Sequence, residues 1–213
     1  MSFTFSIPGG AVYTCAPTPP QEDATTGQLP DTNGERPRVL AYSQNDERWA
    51  LDYYAGGVTF GKAGCLVVTV SMIASLAYAE EMLPPDVARS LRLAGAFEGE
   101  LLSHPARIPV ALGLLTWGGV DHWRDGPADL DALEREIAAY GATICEVKWA
   151  PNGPSPEKRN QHFIVVEGLD AADAQIVDPW DGQRKQLSQT RYRLPGWTVA
   201  RTLYGMRKVR PVV

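Results

Sequence analysis

From Leu66 to Tyr78 the chain is apolar at nearly every position, interrupted only by Thr69, Ser71 and Ser75. A run of that length, without Gly or Pro, predicts a buried helix rather than a strand, despite its three valines. Two further helices are legible. Pro84-Pro85-Asp86 opens one, Val87 to Leu93, which Gly95 stops. Pro127-Ala128-Asp129 opens the other, whose apolar stripe is Leu130, Leu133, Ile137 and Tyr140 and whose end is Gly141. Shorter apolar stretches read as strands: Val39–Tyr42, Thr143–Trp149, His162–Leu169, Ala174–Val177 and Thr198–Met206. Residues 1–12 alternate, with Phe3, Phe5 and Ile7 on one side, and are also strand-like. Helices come first and strands later, which predicts an α+β fold with an antiparallel sheet.

Two stretches stand apart from this pattern. Residues 16–37 carry few apolar side chains and cannot offset their own ordering entropy, so 1–37 reads as an extended arm or linker. Such an arm suits docking on a partner in a larger assembly. The globular domain then spans 38–213. Within it, residues 96–126 are broken by Pro105, Pro109, Gly113, Gly118, Gly119 and Gly126, and 83–126 reads as an insertion or lid near a cleft.

Composition narrows the classes. The 213 residues suffice for one well-packed domain. A formal net charge of −5 argues against nucleic acid as a partner, where a basic stripe is expected. No apolar run reaches membrane-spanning length, and the first residues lack the charged and apolar regions of a Sec signal. The three cysteines, Cys15, Cys65 and Cys145, are odd in number and far apart, which fits a reducing compartment better than a disulfide framework.

One cysteine has a distinctive setting. Gly61-Lys62-Ala63-Gly64 allows a tight turn, and Cys65 follows at the start of the long helix. The first N–H groups of a helix have no intrahelical partner, and the dipole there favours negative charge. Read alone, Cys65 is a small buried hydrophobe; with a base beside it, it is a nucleophile. His104 and His122 lie in the broken middle and read as surface residues. His162 opens an apolar strand just after a polar loop. Pairing 162–168 with 173–178 about position 170 gives partners whose numbers sum to 340, which sets Asp178 opposite His162. Opposed residues have Cβ atoms roughly 4.5–5.5 Å apart, close enough for the carboxylate to orient the imidazole. Asp178-Pro179-Trp180-Asp181-Gly182 is equally a turn. An oxyanion would need donors: the Cys65 N–H is one, and Gln44 is either a second or a solvated turn residue.

Four blocks together resemble the C39-like branch of the papain-like cysteine peptidases. They are Gln44-Asn45-Asp46-Glu47-Arg48-Trp49, Gly64-Cys65-Leu66-Val67-Val68-Thr69-Val70-Ser71-Met72, His162-Phe163-Ile164-Val165-Val166-Glu167-Gly168 and Ile176-Val177-Asp178-Pro179-Trp180-Asp181-Gly182. The resemblance covers roughly Tyr42 to Gly182. It implies a papain-like fold in which a helix-borne cysteine faces an antiparallel sheet. It also implies Cys65 as nucleophile, His162 as base and acid, Asp178 as orienter and Gln44 as oxyanion donor, with no metal or cofactor. The implied substrate is a peptide or amide, such as a cell-wall (peptidoglycan) peptide or a protein cleaved during phage tail assembly. Location would then be cytoplasmic or virion-associated. The competing expectation is a structural component that keeps this shape and docks by residues 1–37.

Overall fold

The computed structural model describes residues 3–6, 12–15, 38–149, 161–170 and 172–212. The chain divides into two units, Met1–Glu35 and Arg36–Val213. In the first, strands β1 (Phe3–Ser6) and β2 (Val12–Cys15) pair antiparallel. The linker expected over 16–37 lies outside the described residues, as does any docking role for it.

In the second unit the elements run β3 (Tyr53–Ala55), β4 (Val58–Thr59), α1 (Phe60–Ala63), α2 (Cys65–Tyr78), α3 (Pro84–Leu93), α4 (Ile108–Ala111), β5 (Leu115–His122) and α5 (Leu130–Tyr140). They continue with β6 (Thr143–Lys148), β7 (Gln161–Leu169), β8 (Ala174–Asp178), β9 (Gln183–Gln186), α6 (Val199–Thr202) and β10 (Leu203–Pro211). The fold is mixed α+β. Its main sheet has the order β5-β10-β6-β7-β8-β9, and every neighbouring pair is antiparallel.

α2 is a helix despite its valines because it is buried all round: Val67 through Ser75 are all inaccessible. Burial on every side overrides the weak propensity penalty of β-branched residues. Its hydroxyls are satisfied inside the helix, Ser71 Oγ donating to Val67 O at 3.0 Å and Ser75 Oγ to Ser71 O at 3.0 Å. Alternation along the strands then makes two cores. Ile144, Phe163, Val165, Val177 and Val209 face α2, with Val87 and Leu91 of α3 in the same cluster. Cys145, Val147, Ile164, Val166, Ile176 and Met206 face the other way, onto Leu133 and Ile137 of α5.

Several expectations need correction. Val39–Tyr42 is not a strand, because side chains occupy its backbone groups: Val39 N–H donates to Glu167 Oε1 at 3.1 Å and Val39 O accepts from Arg184. Thr198–Met206 is not one strand. Thr198 Oγ1 accepts from Arg201 N–H at 3.3 Å and caps the single turn α6, so β10 begins only at Leu203. Residues 83–126 are built into the same unit as the sheet. They contribute α3 to the core and β5 to the edge of the sheet, where Gly118 and Gly119 are tolerated.

Candidate active site

The helix that carries Cys65 is interrupted one residue before it. Gly64 N–H donates to Phe60 O at 2.8 Å and Val68 N–H to Gly64 O at 2.9 Å. Between them the ladder lapses, and among the described residues no carbonyl accepts from Cys65 N–H. A continuous helix would send that N–H to Gly61 O. Instead Gln44 Nε2 donates to Gly61 O at 3.0 Å, and Tyr54 Oη donates to Ala63 O at 3.0 Å. Two side chains therefore satisfy carbonyls that the break orphans and leave the Cys65 N–H free. Gly64 itself has ordinary helical angles, φ −75° and ψ −3°. Its need is spatial: a Cβ would lie 2.7 Å from Phe60 O.

His162 and Asp178 come together by a route the sequence did not reveal. Near the turn the paired residues of β7 and β8 sum to 343, as in Leu169 with Ala174. Continued unchanged, that register would face Asp178 with Val165, on the opposite side of the sheet from His162. A bulge at Glu167 removes the mismatch, and beyond it the sum is 342, as in Val165 with Val177. Ile164 then stands opposite Asp178, and His162 is its diagonal neighbour on the same face. The expected direct pairing is thus wrong by two residues, but an even difference keeps both side chains on one side.

The contact is made all the same. His162 Nε2 lies 2.9 Å from Asp178 Oδ1, with both side chains buried. Asp178 is held by further donors: Trp180 N–H to Oδ1 at 3.0 Å, Tyr192 Oη to Oδ2 at 2.8 Å, and Lys185 Nζ to Oδ2 at 3.4 Å. The Cys65 sulfur stands close enough to the His162 ring to favour its protonated form. Asp178 engages Nε2, which leaves Nδ1 as the ring nitrogen without a partner among the described residues. Burial lowers the His162 pKa, but Asp178 and Cys65 outweigh it and bring it up to about 9. Burial likewise raises Asp178, and the bonds from His162, Trp180 and Tyr192 overcome it, leaving the carboxyl at about 2. The edge of the Trp149 ring stands on His162, centroids 4.8 Å apart, and Trp180 stands on Trp149 at 4.6 Å.

No family model, curated protein or solved structure matches this chain. The site has therefore to be weighed on its own geometry.

Of the residues expected from sequence, His162 and Asp178 are hydrogen-bonded, and the Cys65 sulfur lies near enough to raise the His162 pKa. Gln44 is buried and its link to Cys65 is indirect, through the Gly61 carbonyl. It is also tied to the acid's turn, since Gln44 N–H donates to Pro179 O at 2.6 Å and Asn45 Nδ2 to Trp180 O at 2.7 Å. Gly182 permits that approach: with φ +69°, its missing Cβ would lie 3.1 Å from Ser43 N. His104 and His122 are exposed, and Cys145 is buried in the core that faces α5. Tyr54, Trp149 and Tyr192 were not foreseen. Their role depends on contacts across the fold, and nothing in their local sequence marks them. Among the described residues no three His, Cys, Asp or Glu side chains are grouped as metal ligands, and no helix is long and apolar enough to cross a membrane.

Proposed function

We propose that the protein is a papain-like cysteine hydrolase of the C39-like kind, cleaving a peptide or amide bond. The observation that carries this reading is the buried His162–Asp178 bond with the Cys65 sulfur beside the same ring, near enough to favour the imidazolium. A helix-borne cysteine packed against an antiparallel sheet bearing the histidine and the acid supports the papain-like assignment.

The chemistry follows from the geometry. His162 takes the Cys65 proton, and the sulfur attacks the carbonyl carbon to form a C–S bond. The oxyanion so formed is within the reach expected of the free Cys65 N–H, with the second N–H of the Gln44 amide as the other donor. His162 then returns its proton to the departing amine as the C–N bond breaks, leaving a thioester. Water, deprotonated by the same imidazole, attacks the thioester, and the acid and the free thiol are released. Asp178 fixes the ring and stabilises the imidazolium.

The test is alkylation of the full chain with iodoacetamide near neutral pH. Cys65 should react faster than a free thiol, and His162→Ala should abolish that advantage. A rate equal to that of free cysteine and indifferent to His162→Ala would remove the enzyme reading.

A further inference from the structure

A charged cluster lies beside the candidate active site and takes no part in the chemistry above. The strand register places His122, Gly205, Glu146 and Phe163 side by side across β5, β10, β6 and β7. This row crosses the sheet one residue from His162. Glu146, on the face that packs against α2, is almost wholly buried, its side chain 4% exposed. Two guanidinium groups share it. Arg124 Nη2 lies 3.0 Å from Oε1, and Arg207 Nη2 lies 3.6 Å from Oε2.

One carboxylate cannot neutralise two guanidinium groups, so the cluster keeps a net positive charge inside a chain of net charge −5. Nor are the donors used up. Arg207 lies over the Phe163 ring at 4.6 Å, and among the described residues its buried Nε has no acceptor. A buried N–H left without a partner is destabilising, and an incoming acceptor would relieve that cost. Burial holds the Arg207 guanidinium below its ordinary value, opposed by Glu146; Arg124 adds to the lowering and the nearby Cys65 sulfur opposes it. The cluster is thus within electrostatic reach of the reacting sulfur.

We infer that Arg207, with Arg124, forms a subsite for a carboxylate of the substrate next to the scissile bond. A guanidinium presents paired N–H donors that match a carboxylate in a way a point charge does not. The substrate class is therefore an acidic peptide, its carboxylate either a side chain or the chain terminus. This rests on Cys65 being the nucleophile.

The experiment compares two alkylating agents of similar size, anionic iodoacetate and neutral iodoacetamide. Each forms a C–S bond and expels iodide. The iodoacetate/iodoacetamide rate ratio at Cys65 should exceed that of N-acetylcysteinamide by about tenfold at low salt, the ratio of one favourable charge contact. In Arg207→Gln the ratio should fall most of the way to that of the small thiol, in Arg124→Gln part of the way, and Arg207→Lys should retain part of it. A folded Arg207→Gln with an unchanged ratio overturns the subsite and attributes any anion preference to His162. In wild type, millimolar N-acetylglutamic acid α-amide (side-chain carboxylate) or N-acetylglutamine (terminal carboxylate) should protect Cys65 better than neutral N-acetylglutamine amide. Which acid protects decides between the two sources, and equal protection by all three overturns the subsite even if the variants do not fold. A Cys65 inert to both reagents removes the nucleophile itself, and this inference with it.

Discussion

His162 Nε2 and Asp178 Oδ1 stand 2.9 Å apart in a site from which both side chains are shielded from solvent. Burial alone would lower the imidazole, so its high pKa depends on that carboxylate and on the Cys65 sulfur. Asp178→Asn should therefore bring His162 from about 9 down toward or below its ordinary 6.5. The NMR titration of the His162 ring protons reads this directly. If the enzyme reading holds, turnover should drop by about 10²–10⁴-fold, the usual worth of a positioned proton-transfer group.

The same pair sets a pH window for stability. His162 has a folded value above its unfolded one, so its contribution is full below about 6.5 and is lost as pH rises through about 9. Asp178 has a folded value below its ordinary 3.8, so its contribution is full above that pH and is lost as pH falls through about 2. Both shifts describe one bond and are not additive. Denaturant unfolding should show a plateau between roughly pH 4 and 6.5 with a decline on each side. The alkaline decline should flatten in His162→Ala; a decline that persists there unaltered has another source.

Gly64→Ala should be costly at a position whose backbone angles any residue could adopt. The new Cβ would press on Phe60 O, Phe60 Cα and the Phe60 ring, all closer than 3.0 Å. We expect a loss of about 1–3 kcal/mol, typical of overpacking, seen as a lower thermal midpoint. Cys65 alkylation should slow in the same variant, because the break that frees its N–H has to shift. A stable variant with unaltered Cys65 reactivity would show that this break is not needed.

Tyr192→Phe removes the O–H that donates to Asp178 Oδ2 at 2.8 Å and leaves on that oxygen the longer 3.4 Å contact from Lys185. Losing a bond to a buried charge should cost about 1–3 kcal/mol. It should also raise the Asp178 pKa, moving the acid limb of the stability profile to higher pH. A purely structural role for the ring would lower stability at every pH and leave that limb in place.

Much of the framework could be read from the chain, since it rests on local rules. The uniform apolarity of Leu66–Tyr78 marks a buried helix, and the Asp129 cap and Gly141 stop bound α5, with Asp129 Oδ1 accepting from Ala132 N–H at 2.9 Å. What could not be read depends on distant partners. β5 is a strand because β10 pairs with it, although its own glycines argue for a turn. Val39 looks like a strand residue until Glu167 and Arg184 claim its backbone. At the site, Cys65, His162 and Asp178 could be singled out by residue type and position. Tyr54 and Tyr192 could not, because a phenol bonded to a carbonyl or a carboxylate leaves no periodic trace in the sequence.

The unpaired residue at Glu167 has a consequence for how this hairpin can vary in length. Side-chain direction along a strand is a matter of odd and even, and that single residue sets the parity for every position between it and His162. Losing the bulged residue would close the ladder without disturbing the pairs on either side of it. Regular pairing with Glu167 retained would instead set Asp178 opposite Val165 and turn the imidazole away from its acid while leaving a well-formed hairpin. A hairpin of this length therefore keeps its histidine and its acid together only by leaving one residue out of the ladder.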